Sequence, residues 1–549
     1  MKRREFIVNT SLVALLSGIG LTSCDIETFQ TAPIKKIKGG LSKKQLIFLL
    51  RRATLGFSQK HLEIFEKNDL QKILEKLIND SPKKSIPLNF EFEEDRLVPI
   101  GYSWIDAPYR TDVFYEQYRK KSLRAWLLSF TYDNPCSPRQ QMLYFWLNFY
   151  SISDVIEHKY EYRHITYLHN NAWGNFKQIT KDITVDPAML RFLSGFENTK
   201  ENPNENYARE LLELFTLGRG EMAGKGDYTN FTEKDIAEIA KILTGWKDTG
   251  WFAEDPHKKI GVQFDENAHD KTVKQLSSRL GAHKFKNKGS NEYKDIIDVI
   301  FEKKATAVHF VKRIYNWFCS EEISKQAERE VIQPLADLLI ENNYEVKPVL
   351  IALLSSEHFY SLMETSARIK NPVQYTFDLL HFLPLSIPTN VTKNYTFWAD
   401  TFESVNKMGM ELLKPPSVAG WKAYYQAPGY SRLWINSASL QNKKKFINQL
   451  SLSDSSMDNL GVKINYSQLV KESKVTSVDE FVNYLSAFHF NENLSTDVKN
   501  EFKNLMGENN KNISDKELLE SLIAGNEKHL LNLRKALNYL FTLPMLNIH

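Results

Sequence analysis

Repeated helix-start signals constrain this chain most. Ser137-Pro138-Arg139-Gln140 sets a serine cap, a proline at the first helical position and a glutamine three residues after the cap. Asp186-Pro187 repeats the cap-then-proline pattern, and Asn202-Pro203-Asn204-Glu205 repeats it with Glu205 placed to reach back. Ser42 with Gln45 opens an earlier helix, followed by Leu46, Leu49, Leu50 and Ala53 at helical spacing. Thr232-Glu233-Lys234-Asp235 opens a later one, and Gly245 is the residue type that accepts a left-handed cap at its end. Alternating strand patterns are scarce, and no fixed-period repeat points to a solenoid. The expectation is a mainly α, multi-helical globular body. One long irregular excursion over residues 247–290 carries at most short hairpins.

The first twenty-four residues read as an address. Lys2-Arg3-Arg4 precedes a short apolar run, Leu12 to Leu21, well below the roughly 20 residues a spanning helix needs. The run ends in Leu21-Thr22-Ser23-Cys24, small residues before a cysteine, as in a bacterial lipoprotein cleavage box. The arginine pair fits a twin-arginine signal and equally the basic start of a general secretory signal. The expected product is cut before Cys24 and held on a membrane through lipid on Cys24. It lies in the bacterial cell envelope, periplasmic or surface-facing. This gives four segments: signal peptide 1–23, lipidated tether 24–40, a helical domain 41–449 of one or two subdomains, and a C-terminal helical region 450–549.

Composition narrows the partners. Lys and Arg number 71 against 67 Asp and Glu, a net charge of +4 on 549 residues, so no nucleic-acid footprint is expected. Three cysteines make no disulfide framework; with Cys24 lipidated, Cys136 and Cys319 are expected as separate thiols.

Three clusters carry chemical interest. Glu205, Arg209 and Glu213 are four apart on one helix, and Glu210 neighbours Glu213. They could hold a divalent cation or poise an acid/base pair; ordinary ion pairs on a charge-laced helix are the simpler reading. Arg209 is expected to pair with Glu205 or Glu213, and Glu205 to cap its own helix. His269-Asp270 sets a base or ligand beside a carboxylate in a loop, and surface polar sequence is its simpler reading. His158, His164 and His169 are six and five residues apart, which suits scattered surface positions better than a metal site.

Several segments in fixed order carry a resemblance: Arg51-Arg52-Ala53-Thr54-Leu55-Gly56-Phe57-Ser58, Asp186-Pro187-Ala188-Met189-Leu190, Asn204 to Gly218, Ile242-Leu243-Thr244-Gly245-Trp246, His269-Asp270-Lys271 and Pro415-Pro416-Ser417-Val418-Ala419-Gly420-Trp421. Over about residues 41–449 the chain resembles the bacterial domain of unknown function 1800 family. The resemblance implies an exported, mainly helical protein and no established reaction. It puts weight on Glu205, Arg209, Glu210, Glu213, His269 and Asp270 as candidate catalytic residues. It also implies Trp-His-Asn-His-Phe where this chain has Trp146-Leu147-Asn148-Phe149-Tyr150, so both histidines are replaced and this member carries no strong metal signature. Two main readings follow: a degenerate or metal-assisted envelope enzyme with a Glu/Arg/His/Asp cleft, or a non-catalytic lipoprotein that binds or assembles with another exported protein. A third, glycan binding through Tyr424, Tyr425 and Trp434, rests on aromatic composition alone.

Cys24→Ala should release the mature body from the membrane fraction or leave an unprocessed precursor. Fractionation and intact mass check this, and an unchanged result on both removes the lipid anchor.

Overall fold

A computed structural model describes residues 33–110, 114–422, 434–451, 459–490, 493–507 and 513–549. The expected signal peptide, with Cys24, Tyr424 and Tyr425, lies outside the described residues. The body is mainly α. Its sheets are short antiparallel pairs, two of them in the 247–290 excursion: Trp246–Thr249 with Gly261–Phe264, and Lys274–Gln275 with Lys284–Phe285.

Most helix starts form as their sequences dictate. Ser42 and Gln45 make a reciprocal capping box for helix Lys43–Ala53, and Thr232 with Asp235 does the same for helix Glu233–Ile242. Asp186 accepts from the N–H groups of Ala188 and Met189. Two starts differ. Ser137 precedes helix Pro138–Phe149, but its hydroxyl donates to Asp80 instead of capping. The carboxylate helix begins later than expected, at Glu205, with Asn204 as its cap. Asn204 is fixed there because Asn198 Oδ1 accepts its N–H at 2.8 Å and its own amide donates to Leu193 O and Ser194 O. Glu205 is therefore the first helical residue, exposed, and not a reciprocal cap. Its charge still suits the positive end of the helix dipole.

Helix Glu116–Tyr132 runs along helix Val391–Lys407, and helix Pro138–Phe149 packs on helix His158–Asn170. Pro138–Phe149 is buried on every side except at Arg139. A helix apolar all round belongs in a core, so Leu147 and Phe149 are both packed although their side chains leave the axis about 200° apart. Buried apolar side chains from Leu46 to Leu546 form one continuous cluster. The end of the expected tether is also laid down: Ile37 N–H donates to Ser355 O and Glu357 N–H to Lys35 O.

The histidine trio departs from expectation. His158, His164 and His169 all lie on helix His158–Asn170 and all are buried. Each has its own partner: Glu161 at 2.7 Å, Asp186 at 3.1 Å and Gln140 at 3.2 Å respectively. At about 100° per residue His164 points away from the face that His158 and His169 share, about three turns apart. Glu161 on the same helix claims His158, while Asp186 and Gln140 from other elements claim the other two. Burial, then Arg139 nearby, pulls the His169 imidazole down to about 4. Cys136 and Cys319 are free and buried, and burial pushes both thiols up, Cys319 to about 12. Among the described residues no helix is long and apolar enough to cross a membrane.

Two of the sequence's hallmark segments meet at Gly420. Asn148 Oδ1 accepts the Trp421 N–H at 3.0 Å, and Gly420 has φ +75°. A Cβ on Gly420 would sit 2.2 Å from Asn148 Oδ1 and 2.6 Å from its carbonyl oxygen. Gly420→Ala should therefore cost about 1–3 kcal/mol. A lower Tm of the mature protein would show this; an unchanged Tm would mean the junction yields freely.

Candidate functional site

Four of the six candidate residues, Arg209, Glu213, His269 and Asp270, fall into two charge networks at opposite ends of helix Glu233–Ile242. The first lies at its N-terminus. Arg209 makes a two-pronged pair with Glu233, Nη1 to Oε1 at 2.8 Å and Nη2 to Oε2 at 2.6 Å. The expected i, i+4 partner Glu213 is farther, at 3.6 Å, where Arg219 also reaches it at 3.6 Å. Glu205 takes no part in an ion pair among the described residues, because the late helix start leaves it facing solvent. The Glu233 bond holds the Arg209 guanidinium above its ordinary range, and the same bond holds the Glu233 carboxyl below its own. Glu210 is half-buried. Burial first, then the neighbouring Glu213 charge, raises its carboxyl above the ordinary value.

The second network lies at the other end of the same helix and is closed to solvent. His269, Lys274 and Glu292 are 1%, 0% and 0% exposed at their side chains. His269 Nε2 lies 3.0 Å from Glu292 Oε2 and its Nδ1 lies 2.9 Å from the Thr244 carbonyl. Lys274 Nζ lies 2.9 Å from Glu292 Oε1 and also donates to the Asp270 carbonyl. The Thr244 hydroxyl accepts the Asp270 N–H at 2.8 Å. Burial would raise the Asp270 carboxyl, but bonds from the Thr272 hydroxyl and N–H, with the Lys274 and Lys241 charges, hold it below the ordinary range. Gly245 completes the junction: at φ +92° it comes so close that a Cβ would meet Asp265 O at 2.8 Å.

Among the described residues no hydrogen bond or ion pair joins the Arg209 network to the His269 network. Nor do any three His, Cys, Asp or Glu side chains gather in a metal-holding arrangement there. His269-Asp270 is not surface polar sequence; it is a buried strut. Its partners Glu292 and Lys274 escaped sequence reading. Lys274 stands four residues after Asp270, a local hint, whereas nothing local marks Glu292. Glu233 carried a signal in being the first residue after the Thr232 cap.

Where the resemblance implies histidines, Phe149 and Leu147 are 2% and 6% exposed. Phe149 packs against the rings of Phe145, Phe176 and Phe310 at centroid distances of 5.7, 5.8 and 5.7 Å. The Arg313 guanidinium sits 5.2 Å from the Phe149 centroid, and burial draws it down to about 10, still a cation at neutral pH.

Fold and junctions together define a mainly helical protein in which the segments that carry the resemblance meet one another in space. The chain belongs to the family described as protein of unknown function (DUF1800), which matches residues 48–545. That match runs past residue 449 into the C-terminal helices. No curated protein and no solved structure matches the chain.

The two networks predict opposite sensitivities. The Arg209–Glu233 pair is 30% and 40% exposed, so Arg209→Ala should cost less than about 1 kcal/mol. Glu292→Gln removes the charge shared by Lys274 and His269 and should cost roughly 3–5 kcal/mol. Thermal melts check the order, and equal losses would contradict it. Glu210 gives a pH signature. Its folded-state carboxyl is raised, so its contribution is fully present below the ordinary carboxylate range and is lost as pH rises through the folded value. Glu210→Gln should then stabilise the protein at pH 7 and change little at pH 4. A variant less stable than wild type at pH 7 would refute the assignment.

Proposed function

We propose that this chain is an exported, lipid-anchored protein of the bacterial cell envelope whose helical body binds or assembles with another exported protein and does not catalyse a reaction. The observation that carries this reading is the filling of the Leu147 and Phe149 positions. Hydrocarbon and aromatic rings occupy both, and the Arg313 cation lies over Phe149. A guanidinium at that place repels a divalent metal and offers no lone pair to one. The anchor part of the proposal rests on Leu21-Thr22-Ser23-Cys24.

A second reading has one observation in its favour. Glu210 is raised while Glu213 beside it keeps contacts with two arginines, which is the pattern of a carboxylate pair with divided acid and base roles. On that reading the chemistry is at the partly open Arg209 network and His269 is a support.

Complementation separates the two. In a strain lacking the protein, Glu210→Gln and Glu213→Gln variants of matched thermal stability should reverse, as fully as wild type does, whatever envelope defect the deletion causes. Elemental analysis of the wild-type protein should find no stoichiometric transition metal. Failure of either folded variant to complement, or one tightly bound metal per chain, would move the assignment to the enzyme.

A further inference from the structure

Four unpartnered buried nitrogens, Arg52 Nε, Trp317 Nε1, Arg368 Nη1 and His549 Nε2, belong to residues that neighbour one another around the 366–368 segment. Arg52 is 0% exposed; its Nη1 donates to Cys319 O at 2.6 Å and its Nη2 to Ser366 O at 3.0 Å, and its Nε has no partner. Arg368, two residues beyond Ser366, is 7% exposed with Nη1 unpartnered. The Arg368 guanidinium lies 5.9 Å from the ring of Trp317, whose buried indole N–H is also without an acceptor. The main chains of Arg368 and His549 exchange two hydrogen bonds, and the His549 Nε2, on a side chain 1% exposed, is the fourth. Arg52 is thus tied to the two segments, 317–319 and 366–368, that bring Trp317 and Arg368, and Arg368 in turn pairs with His549.

The charges around this place are unbalanced. Neither Arg52 nor Arg368 has a carboxylate within ion-pairing distance among the described residues. Asp378, the buried carboxylate of this region, is engaged by Lys370 at 2.6 Å and His489 at 3.4 Å. Burial first, then Arg368, lowers the Arg52 guanidinium to about 9, and burial lowers Arg368 to about 10 against the opposing pull of the Glu321 carboxylate, which makes no ion pair with it. Burial and the surrounding Arg52, Arg368, Lys370 and Arg51 cations hold His549 neutral, a form whose Nε2 can carry a proton to donate. Arg52 Nε, Arg368 Nη1 and the Trp317 indole N–H, with the His549 Nε2, lack partners, which leaves part of the desolvation cost of this place unmet. An acceptor-only ligand of negative charge meets both needs at once.

We infer that the junction of Arg52, Trp317, Arg368 and His549 binds a small inorganic anion, a halide or a compact oxyanion, under the 365–368 segment. The anion would link the Arg51-Arg52 segment to the Arg368–His549 pairing, and the folded protein would hold it in preference to the unfolded chain.

The test uses the full mature protein in detergent, exchanged into gluconate buffer and titrated with chloride, bromide or phosphate at fixed ionic strength. Wild type should show a saturable rise in Tm of several degrees with at least one of them, and which anion does so separates halide from oxyanion. Arg368→Gln should abolish the saturable part, while Lys528→Gln, at an exposed position, should keep it. No saturable rise in wild type would mean the cations are balanced from within the chain, and would overturn the inference; an undiminished rise in Arg368→Gln would do the same. If Arg368→Gln does not fold, anomalous scattering from bromide-soaked wild-type crystals decides. A peak against Arg52 Nε and Arg368 Nη1 supports the site, and its absence there refutes it.

Discussion

Two buried guanidinium groups on adjacent residues, Arg51 and Arg52, tie distant parts of this chain together. Arg51 donates to the carbonyls of Ala487, Phe488 and Phe490, and Arg52 to those of Cys319 and Ser366. A buried cation is tolerated only where acceptors replace its water. Carbonyl oxygens supply that here, at helix ends and turns with acceptors to spare. The arrangement ties the first described helix to the middle and to the C-terminal part of the chain. It gives a physical reason for the family match to run to residue 545. The C-terminal helices provide the acceptors without which Arg51 would be a buried charge with nothing to meet it.

The other hallmark segments repeat this logic with different groups. Asp186 caps its own helix and also meets His164, whose other ring nitrogen reaches the Tyr150 carbonyl. Asn148 receives Trp421, and Thr244 receives both Asp270 and His269. In each case a polar side chain in a dense core is satisfied by backbone from a distant segment. These contacts need particular residue types at particular places, so strong sequence motifs here arise from construction. Such motifs do not by themselves mark a reaction.

This explains what the sequence disclosed and what it withheld. Helix starts are local events, set by three or four consecutive residues, and Ser42, Asp186 and Thr232 act as their neighbours dictate. The mainly α architecture follows from many such signals added together. Asn202 misled because a better cap, Asn204, stood two residues on, held by Asn198, which no local rule brings in. Among the candidate residues, types and segments were legible but partners were not. Arg209 chose Glu233 over Glu213 because a facing helix offers a two-pronged geometry that an i, i+4 neighbour cannot match. His269 found Glu292 across 23 residues, and His164 and His169 looked superficial because their buried partners, Asp186 and Gln140, lie on other elements.

Helix Glu233–Ile242 gives the final constraint. Its first residue holds Arg209 at a half-open surface, and its last turn leads into Thr244 and the sealed His269 network. Charge at the first end can rearrange cheaply, since both partners keep access to water. Charge at the second end cannot, since Lys274 and Glu292 have no solvent to replace one another. A ligand that competes for Arg209 or Glu233 would therefore meet a rigid support and a yielding surface. That division of stiffness suits a binding face carried on a fixed body. It also places any adaptable chemistry of this chain at Glu210, Glu213 and Glu233, and not at the histidine that first drew attention.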